Sequence, residues 1–302
     1  MSVTMVTGGL GYVGRYIVTS LADSGRPVVS YNRDYSELRS ELVTPVQGEL
    51  YDIPRIVDTL RRYQISGIIH TAAMSHPDLS IDMPVGTVAA NIEGTVQLFE
   101  AAKLCGVKRI VNFSSETVYG HVDGTVTEGS PLTPTTPYGV TKLATEHFSR
   151  VYNQLYGMTI RSLRVSEVYG PGNRMPQVIR DAARAALRGE PFRLDHGADH
   201  KFQYVHVQDV AQAAILALDA ADGAGEFFNI SAGVQTRMEE MLDLLRALIP
   251  GADIQAGPGH WHLDRQGPWD ISRAQRELGY RPSKSLKEGM AEYVAWLRHN
   301  DV

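Results

Sequence analysis

The first half of the chain alternates short apolar runs with longer stretches whose apolar residues recur every three or four positions. The short runs at 3–7, 27–31, 43–48, 68–72, 109–114 and 159–165 predict strands, and the stretches at 12–24, 53–63, 85–105 and 138–156 predict helices. In 53–63, Ile56, Leu60 and Tyr63 fall on one helical face. Strands alternating with helices of this length imply βαβ units, and right-handed crossovers put helices on both faces of a parallel sheet. The expected class is therefore α/β, a doubly wound parallel sheet. Beyond Gly170-Pro171-Gly172 the pattern is less regular. Helices are predicted at 178–187, 209–218, 238–248 and 286–298, a strand at 226–230, and a Gly-, Pro- and His-rich loop at 256–268.

Composition narrows this picture. The 302 residues suffice for one large or two moderate domains, and 43% apolar with 21% charged residues is ordinary for a globular enzyme. A net charge of −5 supplies no broad cationic face, which argues against a nucleic-acid partner. Cys105 is the sole cysteine, so no intrachain disulfide forms and a reducing cytoplasm fits. No apolar run is long enough to span a membrane, and the N-terminus runs into a strand pattern without a signal-peptide start.

Candidate chemistry begins at Gly8-Gly9-Leu10-Gly11-Tyr12-Val13-Gly14, between the first strand and first helix. Glycines there permit a tight turn and let a pyrophosphate approach the backbone, while the helix N-terminus offers free N–H groups. This spacing at this junction predicts dinucleotide binding rather than a plain turn. A ribose-binding acid is expected about 20 residues past the turn. The second strand instead ends Tyr31-Asn32-Arg33-Asp34. Asn32 does not repel a 2′-phosphate and Arg33 can pair with one, so the cofactor is NAD(P) with a lean to NADP, the alternative being that Asp34 takes the ribose.

Tyr138 and Lys142 lie four apart on a predicted helix and share one face, with Pro137 suiting its start. A free phenol has a pKa near 10, so only about 0.1% is ionised at neutral pH. A cation one turn away stabilises phenolate, and lowering the pKa by about three units is worth on the order of 4 kcal/mol. Tyr138 then becomes a usable general acid or base. Ser115 follows the fifth strand, at the carboxyl edge where ligands of parallel sheets gather, and can hold a substrate oxygen beside it.

With these residues the chain resembles the extended short-chain dehydrogenase/reductases, the NAD-dependent epimerase/dehydratase group. The resemblance runs nearly end to end. It rests on the glycine turn, His70-Thr71-Ala72-Ala73, Asn91-x-x-Gly94, Ser114-Ser115-x-x-Val118-Tyr119-Gly120, Tyr138-x-x-x-Lys142, Tyr169-Gly170-Pro171-Gly172, Tyr204-Val205-His206-Val207-x-Asp209 and Asp270-Ile271-Ser272. It implies a Rossmann-type sheet with a smaller C-terminal substrate domain. Residues 1–170, with about 203–232 returning, would bind the dinucleotide; about 171–202 and 233–302 would bind substrate. It implies Tyr138 as acid/base, Lys142 on the nicotinamide ribose and lowering the tyrosine pKa, and Ser115 polarising the substrate oxygen. Glu49 and Leu50 would reach adenine, Thr71, Ala72 and Ala73 would pass the cofactor, and Asn91 would steady the site. A homodimer through helices 85–105 and 138–156 is implied as well.

Departures from the family pattern bear on substrate. Nucleotide-sugar relatives usually place an arginine for the diphosphate just before the Tyr204 aromatic, where this chain has Phe202-Gln203. Glu167 stands where they usually have Asn, and a carboxylate near a diphosphate is repulsive. Arg174, Arg193, Lys201 or Arg265 is left to compensate. The acidic pair of the dehydratases is reduced to Glu116 followed by Thr117, which disfavours dehydration. Two enzyme readings stand on a small carbohydrate-like substrate: epimerisation of a sugar, nucleotide-linked where it follows the manner of the family, or net oxidation and reduction of a small polyol, sugar or sugar acid. A catalytically silent dinucleotide-binding sensor or scaffold is the third. Ser75 and His76, after the fourth strand, are further substrate candidates. His196, His200 and His206 are not expected to form a metal site, and His260-Trp261-His262 is either an exposed loop or a pocket cap.

Overall fold

The computed structural model describes residues 2–36 and 40–300. Its first strand, β1 (Val3–Thr7), feeds α1 (Tyr12–Asp23), followed by β2 (Val28–Asn32), β3 (Val43–Gln47), α2 (Ile53–Arg62) and β4 (Ile65–His70). After α3 (Pro77–Asp82) and α4 (Pro84–Val88), a π-turn over Ala89–Glu93 leads into α5 (Gly94–Leu104). Then come β5 (Arg109–Ser115), α6 (Pro137–Tyr156) and β6 (Thr159–Val165). The later part contains β7 (Glu167–Tyr169), α7 (Val178–Arg188), β8 (Phe192–Leu194), β9 (Lys201–Phe202), β10 (Tyr204–His206) and α8 (Val207–Asp219). It ends with β11 (Phe227–Ile230), β12 (Thr236–Arg237), α9 (Met238–Leu248), β13 (Ile254–Ala256), α10 (Ser272–Glu277) and α11 (Leu286–Leu297).

Seven strands form one sheet in the order β11-β6-β5-β4-β1-β2-β3, every pair parallel. The order reverses at β1, the place where a ligand-binding crevice opens at the strands' carboxyl ends. One face is covered by α1 and α8, whose Ile17, Leu21, Val210 and Ala214 are fully buried together. The other is covered by α2, α5 and α6 through Ile56, Leu98, Phe99 and Tyr152. Each large apolar side chain buried in this way contributes roughly 1.5–3 kcal/mol. A separate core joins α7, α9 and α11 through Ile179, Met241, Leu245, Met290 and Tyr293. Among the described residues no helix is long and apolar enough to cross a membrane.

Two differences from the expected elements matter for the site. The fourth strand ends at His70, two residues early, so Thr71, Ala72 and Ala73 form a loop over the sheet edge. The helix expected at 85–105 is interrupted by the π-turn. The widened turn holds Asn91 inward. Its amide accepts from Met74 N–H at 2.8 Å and donates to the Met74 carbonyl at 3.1 Å and to Thr141 Oγ1 at 3.0 Å.

Candidate active site

A cavity of about 520 Å³ lies along the carboxyl ends of β1, β4, β5 and β6. The glycine turn forms one end. Gly8 sits at φ +69°, and a Cβ on Gly14 would lie 2.1 Å from the Gly8 carbonyl oxygen. Only hydrogen fits at Gly14, so α1 starts directly against the turn with Gly11 as its N-cap. This leaves first-turn N–H groups of α1 facing the cavity beside Gly8, Gly11, Tyr12 and Val13. The arrangement fits a pyrophosphate, and with Thr71, Ala72 and Ala73 on the opposite wall it fits a dinucleotide.

The remaining cofactor candidates lie outside the cavity lining. Asn32 is turned into the protein: its oxygen accepts from Leu10 N–H at 2.8 Å and its nitrogen donates to Ser30 Oγ at 2.9 Å. Arg33 is 75% exposed and 4.0 Å from Asp34. Glu49 is exposed, with its carbonyl accepting from Tyr31 Oη at 3.0 Å, and Leu50 packs at Gly94. Asn91 acts from behind, tying the Met74 backbone to α6.

Ser115, Tyr138 and Lys142 meet in the middle of the cavity. Helix α6 starts at Pro137, with Thr136 Oγ1 accepting from Gly139 N–H at 3.1 Å. Tyr138 is therefore in the first turn, and its N–H donates to Ser80 Oγ at 3.0 Å. Its phenol is buried and hydrogen-bonded to Ser115. Ser115 Oγ accepts from Thr117 N–H at 3.3 Å and Thr117 Oγ1 at 3.1 Å, which leaves the Ser115 proton for another acceptor.

The electrostatics differ from the sequence expectation. Burial pushes the Tyr138 phenol above its ordinary range, the Ser115 hydrogen bond pulls it down, and Glu116 adds to the rise. Lys142 Nζ donates to the Phe113 carbonyl at 2.7 Å and lies 5.5 Å from the Tyr138 ring centre, so its ammonium does not offset the burial. Burial itself lowers Lys142 to about 8. Tyr138 is thus held neutral in the free protein, as an acid. His70, buried beneath and bonded to Thr7 Oγ1 at 2.7 Å and Thr95 Oγ1 at 2.9 Å, is lowered to about 3 by burial and then by Lys142.

Beneath Ser115 and Lys142 runs a buried ion pair. Arg164 donates to both Glu146 oxygens at 2.9 and 2.6 Å, and also to Tyr119 Oη at 2.9 Å and the Glu128 carbonyl at 3.0 Å. Ser114 Oγ donates to Glu146 at 2.5 Å, so the pair ties β5, β6 and α6 together. Both charged side chains are 2% exposed.

The other end of the cavity collects Ser75, His76, Glu116, Glu167 and Phe202 from the substrate candidates. Glu167 accepts from Gln177 Nε2 at 2.5 Å. Ser166, Gln177 and Tyr204 line the same wall and were not among the candidates. No motif marks Ser166 or Gln177; their place follows from β7 pairing with β10 and from the entry into α7. Trp261 and His262 also line it, so their loop caps the cavity. Arg174 is exposed beyond it, its carbonyl accepting from Arg180. Arg265 lies in a second cavity of about 350 Å³ that shares Trp261 and Leu263 with the first, and it donates to His121 Nε2 at 3.1 Å. Arg193 pairs with Asp253 on the surface at 2.5 Å. Among the described residues, no group of three His, Cys, Asp or Glu could hold a metal ion.

Comparison with known proteins adds the following. Residues 4–231 match the model of the NAD dependent epimerase/dehydratase family. A UDP-glucose 4-epimerase of Mycolicibacterium smegmatis is 32% identical over 98% of both chains. A dTDP-glucose 4,6-dehydratase of Actinoplanes sp. is 30% identical over 98% of both. Among solved structures, MoeE5 in complex with UDP-glucose and NAD is 32% identical, with a TM-score of 0.89 and 98% of each chain covered. The Thermotoga maritima UDP-glucose 4-epimerase with UDP-glucose is 27% identical, with a TM-score of 0.90 over 98% of this chain and 99% of that one.

Proposed function

Because the chain belongs to the NAD-dependent epimerase/dehydratase family, an enzyme family of the extended short-chain dehydrogenase/reductase type, we propose that it epimerises a nucleotide sugar by hydride transfer at a ring hydroxyl, with Tyr138 as acid/base. The observation that carries this reading is the meeting of the Ser115–Tyr138 pair and the glycine turn in one cavity. NAD(P), when bound on the turn, supplies the hydride acceptor and donor.

The chain's own residues do the rest. Ser115 turns its proton from Tyr138 to the substrate oxygen and fixes that oxygen beside the Tyr138 phenol. Tyr138, held neutral, gives its proton to a carbonyl oxygen and takes one from a hydroxyl in reverse. Lys142 orients the cofactor ribose from the next helical turn. Arg265 and His121 in the adjoining cavity meet the nucleotide's phosphates, while the sugar lies between Glu116 and Glu167. Within this reading, residues 1–170 with about 203–232 hold the cofactor and the rest of the chain holds the substrate. Neutral Asn32 followed by exposed Arg33 favours NADP over NAD. Val140, Val151 and Leu155 on α6 and Leu104 at the end of α5 are exposed, which supports a homodimer through these helices. A cytoplasmic setting agrees with the single cysteine.

One observation favours a second reading. Among the described residues, Lys142 is the only Lys or Arg lining the main cavity, where Phe202 stands in place of the diphosphate arginine. A dehydrogenase of a free sugar or polyol would need no phosphate pairing there.

The test is to identify the cofactor that copurifies, with its 2′-phosphate and redox state, and to follow UDP-sugar interconversion. Retained cofactor and interconversion are expected. Tyr138→Phe is expected to lower turnover at least about 100-fold with cofactor affinity unchanged; unchanged turnover refutes the assignment.

A further inference from the structure

Tyr138 is the second residue of α6, and a helix gives the N–H groups of its first turn no partner of its own. Pro137 has no N–H to place, and the N-cap Thr136 Oγ1 is taken by Gly139. The Tyr138 N–H is met from another segment instead: it donates to Ser80 Oγ on α3 at 3.0 Å. Ser80 Oγ gives its own proton to the Pro77 carbonyl, so its lone pairs are left for the tyrosine backbone. On the other side of the same residue, the Tyr138 carbonyl accepts from Thr141 Oγ1 at 2.7 Å. Thr141 Oγ1 accepts in turn from Asn91, which holds both the N–H and the carbonyl of Met74. Met74 and Ser80 are the two ends of one short stretch of chain. These bonds close a ring that runs from Tyr138 to Ser80, back along the chain to Met74, and through Asn91 and Thr141 to Tyr138 again. Ser80, Asn91 and Thr141 are each at most 1% exposed, so bulk water does not compete for them. The middle of the stretch, residues 75–78, lines the substrate end of the cavity.

We propose that Ser80 and Thr141 are positioning residues that clamp the Tyr138 backbone from both sides and hold its phenol at a fixed spacing from the wall formed by residues 75–78. The catalytic use of the clamp rests on the acid/base reading above; the clamp itself does not. Neither Ser80 nor Thr141 lines the cavity, so both act through Tyr138. A shift of the Tyr138 backbone is inherited by the phenol, which has to stay within hydrogen-bond reach of Ser115 and of a substrate oxygen. A first helical turn held on its carbonyl side alone is free to fray. Misplacing a reacting group by about 1 Å costs on the order of 100-fold in rate.

The test replaces Ser80 by Ala and Thr141 by its near-isostere Val, with Ser149→Ala as the control. Ser149 is equally buried on α6, where its hydroxyl donates to the Thr145 carbonyl at 2.8 Å, outside the ring. The proteins, loaded with whichever of NAD and NADP copurifies, are labelled with fluorotyrosine and read by fluorine NMR; the Tyr138 resonance is the one lost in Tyr138→Phe. Ser80→Ala and Thr141→Val are each expected to shift or broaden that resonance and to lower kcat for UDP-glucose interconversion about 10- to 100-fold, with KM and cofactor affinity within about twofold of wild type. Ser149→Ala is expected to leave both the resonance and kcat unchanged. A Tyr138 resonance that stays in place in either ring variant, or that moves as far in Ser149→Ala, overturns the proposal. So does a resonance that moves while kcat keeps its wild-type value. Should the wild-type protein interconvert no UDP-sugar, the epimerase reading falls and the resonance alone decides the clamp.

Discussion

The Arg164–Glu146 pair sets a sharp test of how the site is supported. Replacing Glu146 by Gln keeps the shape of the side chain and removes its charge. Arg164 then stays 2% exposed with only Tyr119 Oη and the Glu128 carbonyl as full-strength partners. Burial opposes its charge, yet the Glu146 hydrogen bonds and field hold it firmly protonated. An uncompensated buried charge of this kind costs about 3–5 kcal/mol, a fifth or more of the roughly 5–15 kcal/mol by which a folded protein is stable. At roughly 2–4 °C per kcal/mol, the melting midpoint should fall by about 6–20 °C. Removing both partners, as Glu146→Leu with Arg164→Met, should recover most of the loss, because the desolvation term disappears with the charges. The assay is urea unfolding of wild type and Glu146→Gln, together with Glu146→Leu, Arg164→Met and their double variant analysed as a cycle. Turnover should fall in the single variants, since Glu146 holds Ser114 next to Ser115 and sits one turn beyond Lys142. A Glu146→Gln loss under about 1 kcal/mol, or a double variant worse than the sum of the singles, would refute this account.

Two further outcomes follow from the same structure. Gly14→Ala places its Cβ 2.1 Å from the Gly8 oxygen, whereas the Cβ of Gly11→Ala meets the same atom at 3.0 Å; the first should weaken cofactor binding at least about tenfold and cost about 1–3 kcal/mol of stability, and equal effects in calorimetry and melts would contradict the turn geometry. Lys142 has a folded pKa of about 8, below its ordinary 10.5, so the unfolded chain binds more protons between these values and stability should rise with pH across that window. That increment, on the order of 3 kcal/mol, should vanish in Lys142→Met when melts at neutral and alkaline pH are subtracted.

The sheet was legible because its signals are local. Apolar runs marked the strands, and the glycine turn marked the start of α1. That Ser115, Tyr138 and Lys142 share one cavity was legible from spacing and from the strand end that precedes them. The π-turn was not, because its cause is tertiary: Asn91 widens the helix to reach Met74 and Thr141. Ser166 and Gln177 gave no signal, because they face the cavity through strand pairing and a helix entry set elsewhere in the chain. The protonation of the phenol in the free protein was not legible for a related reason. Helical spacing brought the ammonium to the right turn, but burial and the Phe113 carbonyl decide what it does there.

The parallel sheet is closed by a strand that the ribosome delivers late. Until residues 207–230 have emerged, β6 offers an unpaired edge and the Ile17–Leu21 stripe of α1 has no cover from α8. A nascent chain with the whole glycine turn and the Ser-Tyr-Lys trio already made therefore still exposes apolar surface and an open strand edge until translation adds the missing fragment. Stop codons between Val165 and Phe227 should yield aggregates, not a smaller nucleotide binder.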